Sequence, residues 1–352
     1  MPRLTPGRMA ILAAAVVVAA LAFGWRGNEI LPVHAIDVAI PQAEDWIDCG
    51  TILMHGDEGA WDHILWGGFA LTALKVGPTY HLYYQGSRAY DEAEGTVVWR
   101  TVGLAISQDG ISFSKYEGNP VLTWFPRQNW EEGAVSVSGY VDQQQRVLLY
   151  YGANTWAGGN RVTASGRLAL SGDGFGFSDR GEILSSEWGR HWGGGDELFP
   201  VIAFAEGDRT FVYYIPNGTP QTGKLGVAWR DDQSLWESAA ARAGRRPVAV
   251  WGPASAARVA PDVYALFLSN SRGSDGPYIE VRTAALDHPE RLSVPVETYR
   301  FANVVSAHVQ LDRERGVWFM YYRHADNKSY GARIAAAGPG SEKTLSCSDV
   351  AR

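Results

Sequence analysis

The sequence predicts an all-β fold, a five-bladed β-propeller of four-stranded antiparallel blades, and three observations carry that reading. A pattern recurs: GLAISQDGISF at 103–113 returns as GRLALSGDGFGF at 166–177, each shortly after a tyrosine pair. Glycine is abundant, 40 of 352 residues, and helix-period apolar stretches are scarce after residue 40, as expected of short strands joined by glycine turns. Strand–turn–strand units also follow one another at intervals of roughly fifty to seventy residues, the mark of one sheet repeated around an axis.

The chain opens with Arg3 and Arg8 ahead of an uncharged run, MAILAAAVVVAALAFGW, from Met9 to Trp25. A positive flank, a short apolar segment and the triplet Ala20-Leu21-Ala22 read as an export signal. The run is also close to the lower limit of about 17 residues for a spanning helix, so an uncleaved anchor is the alternative. Residues 1–25 are therefore assigned to a signal peptide or membrane anchor, 26–44 to a linker, 45–345 to the propeller and 346–352 to a C-terminal tail. Either form of the N-terminus places the folded part outside the cytoplasm, in the periplasm, at the cell surface or in the medium.

The first unit runs FALTALKVGPTYHLYYQGS (69–87), then GLAISQDGISF, then KYEGNPVL (115–122). The second runs AVSVSGYVDQQQRVLLYYGAN (134–154), GRLALSGDGFGF and DRGEIL (179–184). The third pairs VIAFAEGDRTFVYYIPNG (201–218) with GKLGVAWRDDQSLW (223–236), and the fourth RVAPDVYALFLSNS (258–271) with GPYIEVRTAALDHPE (276–290). The fifth, VVSAHVQLDRERGVWFMYYRHAD (304–326) and SYGARIAAAG (329–338), lacks an outermost strand. A tandem of two sandwiches would supply strands but not this phased repetition.

A ring must close, so DWIDCGTILM (45–54) is expected to supply the missing outer strand of the fifth unit. Cys49 and Cys347 would then meet at the seam as a disulfide, two unpaired thiols being the alternative. Within S-x-D-G-x-x-F, Gly110 and Gly174 suit a positive-φ turn, Asp109 and Asp173 bond nearby N–H groups, and Phe113 and Phe177 pack between blades.

A net charge of −7 argues against a nucleic-acid partner, which would call for a basic face. Propellers bind ligands at one mouth of the central channel, where the innermost strands begin. Three acidic sites precede those strands: Asp62 in GAWDHILWGG, Glu131 and Glu132 in QNWEEGAVS, and Asp196 and Glu197 in HWGGGDELFP. Each has a tryptophan close upstream, Trp61, Trp130 and Trp192, and Trp66 and Trp156 fall near the same loops. Such rings stack on the apolar face of a sugar, and Arg190 and His191 can contact its hydroxyls or a carboxylate. For each tryptophan taken singly the alternative is packing between blades, and for each acid a solvated loop.

The segments YHLYYQGS, GLAISQDGISFSKYEGNPVL and SAHVQLDRERGVWFMYYRH resemble the five-bladed propeller glycoside hydrolases, family 43 with its relatives in families 32, 62, 68 and 130. The resemblance implies three carboxylates on the first three blades: Asp62 as base, Glu132 as pKa modulator and Glu197 as general acid. It implies His308 near the channel axis, no required cofactor, and allows a structural cation in the channel near His308. The chain departs from the pattern on blade one, where Gly67-Gly68 occupies the place of the family's Asp-Pro, and on blade two, where Val137-Ser138 replaces an acid-Pro. Three readings follow: an inverting glycoside hydrolase acting on a poly- or oligosaccharide, a carbohydrate-binding propeller without turnover, and a phosphorylase or transferase on the same scaffold.

Overall fold

The computed structural model describes residues 34–91, 96–123, 132–157, 160–184, 188, 197–217, 224–231, 234–248, 250, 252–270, 276–326, 328–337 and 345–351. Five four-stranded antiparallel sheets stand in chain order as blades. Blade one comprises Ile64–Val76, Thr79–Asp91, Thr96–Ser107 and Ser114–Lys115, innermost strand first, and blade two Glu132–Val141, Val147–Ala157, Asn160–Ser171 and Ser178–Leu184. Blade three comprises Glu197–Glu206, Arg209–Asn217, Gly226–Asp231 and Glu237–Ala240, and blade four Ala254–Ala260, Val263–Asn270, Tyr278–Ala285 and Glu297–Tyr299. Blade five takes Val304–Asp312, Val317–His324 and Ser329–Ala336 from the end of the chain, and Ile47–Met54 from its beginning.

The ring thus closes as expected, with Ile47 opposite Ile334 and Met54 opposite Ser329. Cys49 and Cys347 form the disulfide, separated by 298 positions. The expected tail folds into a short helix, Cys347–Val350, capped by Ser346 and anchored by the buried Val350. Part of the stretch expected as a linker is docked rather than extended: Asp37 and Val38 donate to Val259 O on blade four, and Ile40 is buried. The signal or anchor assigned to residues 1–25 lies outside the described residues, among which no helix is long and apolar enough to cross a membrane.

Each second strand is covered on both faces by neighbouring blades, so it reads as a continuous apolar run rather than an alternation. Leu82, Tyr83 and Tyr84 are all fully buried, as are Phe211 to Tyr214. Tyrosines of the recurring pairs reach across blade boundaries to the repeated turns. Tyr321 of blade five donates to Gly110 O in blade one's turn, and Tyr83 of blade one donates to Gly174 O in blade two's. Tyr213 of blade three likewise donates to Pro289 O of blade four.

The turn itself is held as its composition dictates. Gly110 has φ +83°, and a Cβ there would lie 2.9 Å from the Phe319 ring of blade five. The Asp109 carboxylate accepts the N–H groups of Ile111 and Ser112, both at 2.7 Å. Burial pushes its pKa up, but those bonds and the hydroxyls of Ser107 and Ser112 outweigh it and carry it down to about 2. Phe113 meets Tyr321 and Phe177 meets Tyr83, each across a blade boundary at 5.7 and 5.6 Å. Serines complete the ring: Ser136 Oγ donates to Pro200 O, and Ser138 and Ser255 accept from Ala203 N and Val309 N of the following blades.

Candidate active site at the channel mouth

The innermost strands of blades two and three begin with the two glutamates picked out from the sequence. Glu132 opens one, opposite Thr155 of its second strand, and Glu197 opens the other, opposite Asn217. The serine bonds set their relative height. Ser138, six positions after Glu132, bonds to Ala203, six positions after Glu197. The two backbone positions therefore stand level at the same end of the channel.

Both strands break register just below that end, between Val135 and Val137 and between Pro200 and Ile202. Ser136 takes a left-handed φ of 53° there. Bulges of this kind re-aim side chains beside functional sites. Blade one carries a larger register shift: Trp66 pairs with Gln85 and Leu71 with Tyr84, so the strand bulges across residues 67–70, where the family pattern has Asp-Pro.

Asp62 does not join this pair. It is 4% exposed, and its Oδ2 lies 2.6 Å from Lys115 Nζ on blade one's outermost strand. Tyr84 OH donates to the same oxygen at 3.3 Å. Three glycines make room for the Trp61-Asp62 corner. A Cβ on Gly56 would sit 2.1 Å from Asp62 Oδ1, one on Gly86 2.6 Å from the Trp61 ring, and one on Gly103 2.3 Å from it. The expectation of Asp62 as base and Trp61 as sugar platform is corrected accordingly. Both pack against the second, third and outermost strands, where the carboxylate neutralises a lysine.

His308 lies on blade five's innermost strand as expected and lines the channel, at 7% exposure. Burial lowers its pKa to about 4, against a smaller raising effect of a hydrogen bond to the Ala73 backbone, so the ring is neutral near pH 7. It borders a cavity of about 310 Å³ to which all five innermost strands contribute, from Lys75, Ser138, Tyr140, Ile202, Phe204, Arg258, Gln310 and Arg313. This cavity lies toward the ends of those strands, opposite the mouth. No carboxylate lines it, and among the described residues no group of three or more metal-ligating side chains occurs. One imidazole among three cationic side chains does not fit the directly held cation that the resemblance allows.

The side chains of Trp66, Glu132, Glu197 and Trp156, and the whole of Trp130, Glu131, Arg190, His191, Trp192 and Asp196, lie outside the described residues. Lys115, the partner that decides the role of Asp62, has no signal in the sequence, because its position depends on how blade one's fourth strand pairs.

Solved structures share this architecture. A glycosyl hydrolase from Bacteroides ovatus superposes with TM-score 0.57 at 13% identity, covering 89% of this chain and all of that one. A β-1,2-mannobiose phosphorylase from Listeria innocua gives 0.55 at 12%, covering 87% and 92%. A family 117 glycoside hydrolase from Zobellia galactanivorans gives 0.53 at 14%, covering 83% and 90%. The fold is that of the propeller glycoside hydrolases. No protein-family model matches the chain, and no curated protein matches it in sequence.

Proposed function

We propose that the chain is an exported enzyme that cleaves glycosidic bonds at the channel mouth, with Glu197 as general acid and Glu132 as its partner carboxylate. The observation that carries this reading is that the two glutamates open adjacent innermost strands at the same height. Facing sheets pack about 10 Å apart, and that spacing accommodates the roughly 6.5–9.5 Å between carboxyl groups of an inverting pair. The acid must hold its proton near neutral pH, which burial or a neighbouring like charge would favour. Trp66, Trp130 and Trp192 are proposed as stacking platforms, and Glu131, Arg190 and His191 as hydroxyl contacts. Export is supported by the apolar run at Met9–Trp25 and by the disulfide, a bond that persists in oxidising compartments.

A second reading, a propeller that binds glycan without turnover, is favoured by one observation. Asp62 is committed to Lys115, so the first-blade carboxylate of the family pattern is not at the mouth. Incubation with arabinan, xylan, fructan and mannan, with and without inorganic phosphate, separates the readings. Reducing ends released without phosphate, with the inverted anomer appearing first by NMR, are expected for the hydrolase. Phosphate-dependent release would indicate a phosphorylase. Saturable glycan binding with no release would overturn the hydrolase in favour of the second reading.

A further inference from the structure

We infer that the end of the central channel opposite the mouth is a second binding site, for a neutral polyhydroxylated molecule of monosaccharide size. The cavity there measures about 310 Å³ and draws its lining from all five innermost strands. That volume is far larger than one ordered water requires. It falls at the lower end of the roughly 300–1,000 Å³ of small-molecule sites, which combine apolar walls with a few polar groups. The cavity is open to solvent, since Arg313 at its edge is exposed and the Arg258 side chain is 38% exposed.

The walls combine these two characters. Leu74 and Ile202 are buried apolar residues of the lining, and the rings of Phe204 and Tyr264 stack at 4.2 Å where blades three and four meet. Blade five contributes the polar part. His308 and Gln310 stand two positions apart on Val304–Asp312, so both project from the same face of that strand. His308 Nδ1 and Gln310 Oε1 are buried, and neither has a hydrogen-bond partner among the described residues. A buried polar atom in that state carries a desolvation cost that a bound partner removes.

The charges around the cavity are already matched, which selects a neutral ligand. Lys75 meets Asp312 at 2.9 Å and Glu314 at 2.7 Å, and Arg258 meets Glu206 at 2.7 Å. Tyr264 OH donates to the other oxygen of Glu206. Arg313 donates to Arg258 O, and Asp208 and Asp262 are exposed on the neighbouring turns of blades three and four. An anion therefore meets no surplus of cations, and it offers only acceptors, which leaves Gln310 Oε1 unpaired. A metal cation would sit beside Lys75, Arg258 and Arg313 with no carboxylate in the lining. A hydroxyl both donates and accepts, so it pairs with Gln310 Oε1 and with His308 whichever ring nitrogen holds the proton. A sugar ring carries several such hydroxyls and an apolar face for the Leu74, Ile202 and Phe204 walls. The inference does not depend on the chemistry at the mouth.

The test titrates the full chain with D-xylose, L-arabinose, D-mannose and glycerol by ligand-observed NMR, and soaks crystals in each. At least one of the three sugars is expected to bind saturably in solution and more tightly than glycerol. Its ring is expected in the channel cavity, with hydroxyls on His308 and Gln310. Gln310→Leu and His308→Phe each remove one of the two polar partners, and each is expected to weaken that binding about tenfold and to empty the cavity of sugar in an identical soak. Gln310→Leu replaces an unpartnered oxygen by carbon, so its melting temperature should hold or rise, which separates lost binding from lost folding. Three results would overturn the inference: no saturable binding by any of the three sugars, a soaked cavity holding only water, glycerol, phosphate or a metal ion, or a sugar ring that stays in the cavity with unchanged affinity in both variants.

Discussion

Replacing Asp62 by asparagine separates the two roles its position in the sequence allows. The substitution keeps the shape of a 4% exposed side chain and removes the charge that Lys115 meets at 2.6 Å. Breaking a buried pair from one side costs about 3–5 kcal/mol, because the remaining charge stays desolvated. The Lys115 side chain is 34% exposed, so water takes up part of that charge and the expected loss falls to about 2–3 kcal/mol. With unfolding entropy near 2.1 cal/mol/K per residue, a propeller of this size loses about 4 °C in Tm. The double substitution Asp62→Asn with Lys115→Met removes both charges and is expected to recover all but about 1 kcal/mol. Thermal unfolding by circular dichroism reads the stability, and release of reducing sugar well below Tm reads turnover. A structural Asp62 gives a lowered Tm, rescue by the second change, and turnover within about threefold of the native protein. An unchanged Tm with turnover down by about 10³ or more would refute this reasoning and return Asp62 to the catalytic set.

Three further outcomes are expected. Cys49→Ser with Cys347→Ser opens a covalent loop spanning 298 positions, for which chain entropy sets a ceiling near 6 kcal/mol; a loss of about 3–5 kcal/mol in urea unfolding is expected, and under 1 kcal/mol would contradict the seam. Tyr83→Phe and Tyr321→Phe each leave one inter-blade carbonyl without its donor, so each should cost about 1 kcal/mol and the pair should add, since they lie on different seams. The Asp109 carboxyl titrates lower in the folded state than in the unfolded chain, so its contribution is complete above about pH 4 and is lost as pH falls toward about 2; Asp109→Asn should flatten that part of the acid-unfolding curve.

Much of the fold was legible because its repeat is enforced by chemistry that sequence displays. The positive φ at Gly110 and Gly174, the Asp109 and Asp173 turn bonds and the tyrosines reaching across blades all demand fixed residue types at fixed offsets. Closure by Ile47–Met54 followed from a fifth unit one strand short. The two-stranded hairpin at Arg242–Pro247 did not, since Arg-Ala-Gly-Arg-Arg has no apolar period to mark a strand.

The mouth was half legible for a related reason. Glu132 and Glu197 open strands whose apolar runs are readable, so their phase could be counted. Asp62 precedes its strand by a corner whose course is set by Gly56, Gly86 and Gly103, positions scattered along the chain that only the folded state brings together. Acid plus tryptophan upstream of a strand therefore described two different situations, a strand-opening glutamate and a buried ion pair, with the same local letters.

The central claim is that glycosidic cleavage at the mouth depends on Glu197. Its most direct test is steady-state turnover of the Glu197→Gln variant on whichever polysaccharide the native protein degrades, measured with a natural leaving group and with an aryl glycoside whose leaving group needs no proton. The account predicts a loss of at least about 10²-fold on the natural substrate, a much smaller loss on the activated one, and an unchanged melting temperature. Equal turnover by the variant and the native protein on the natural substrate would contradict it.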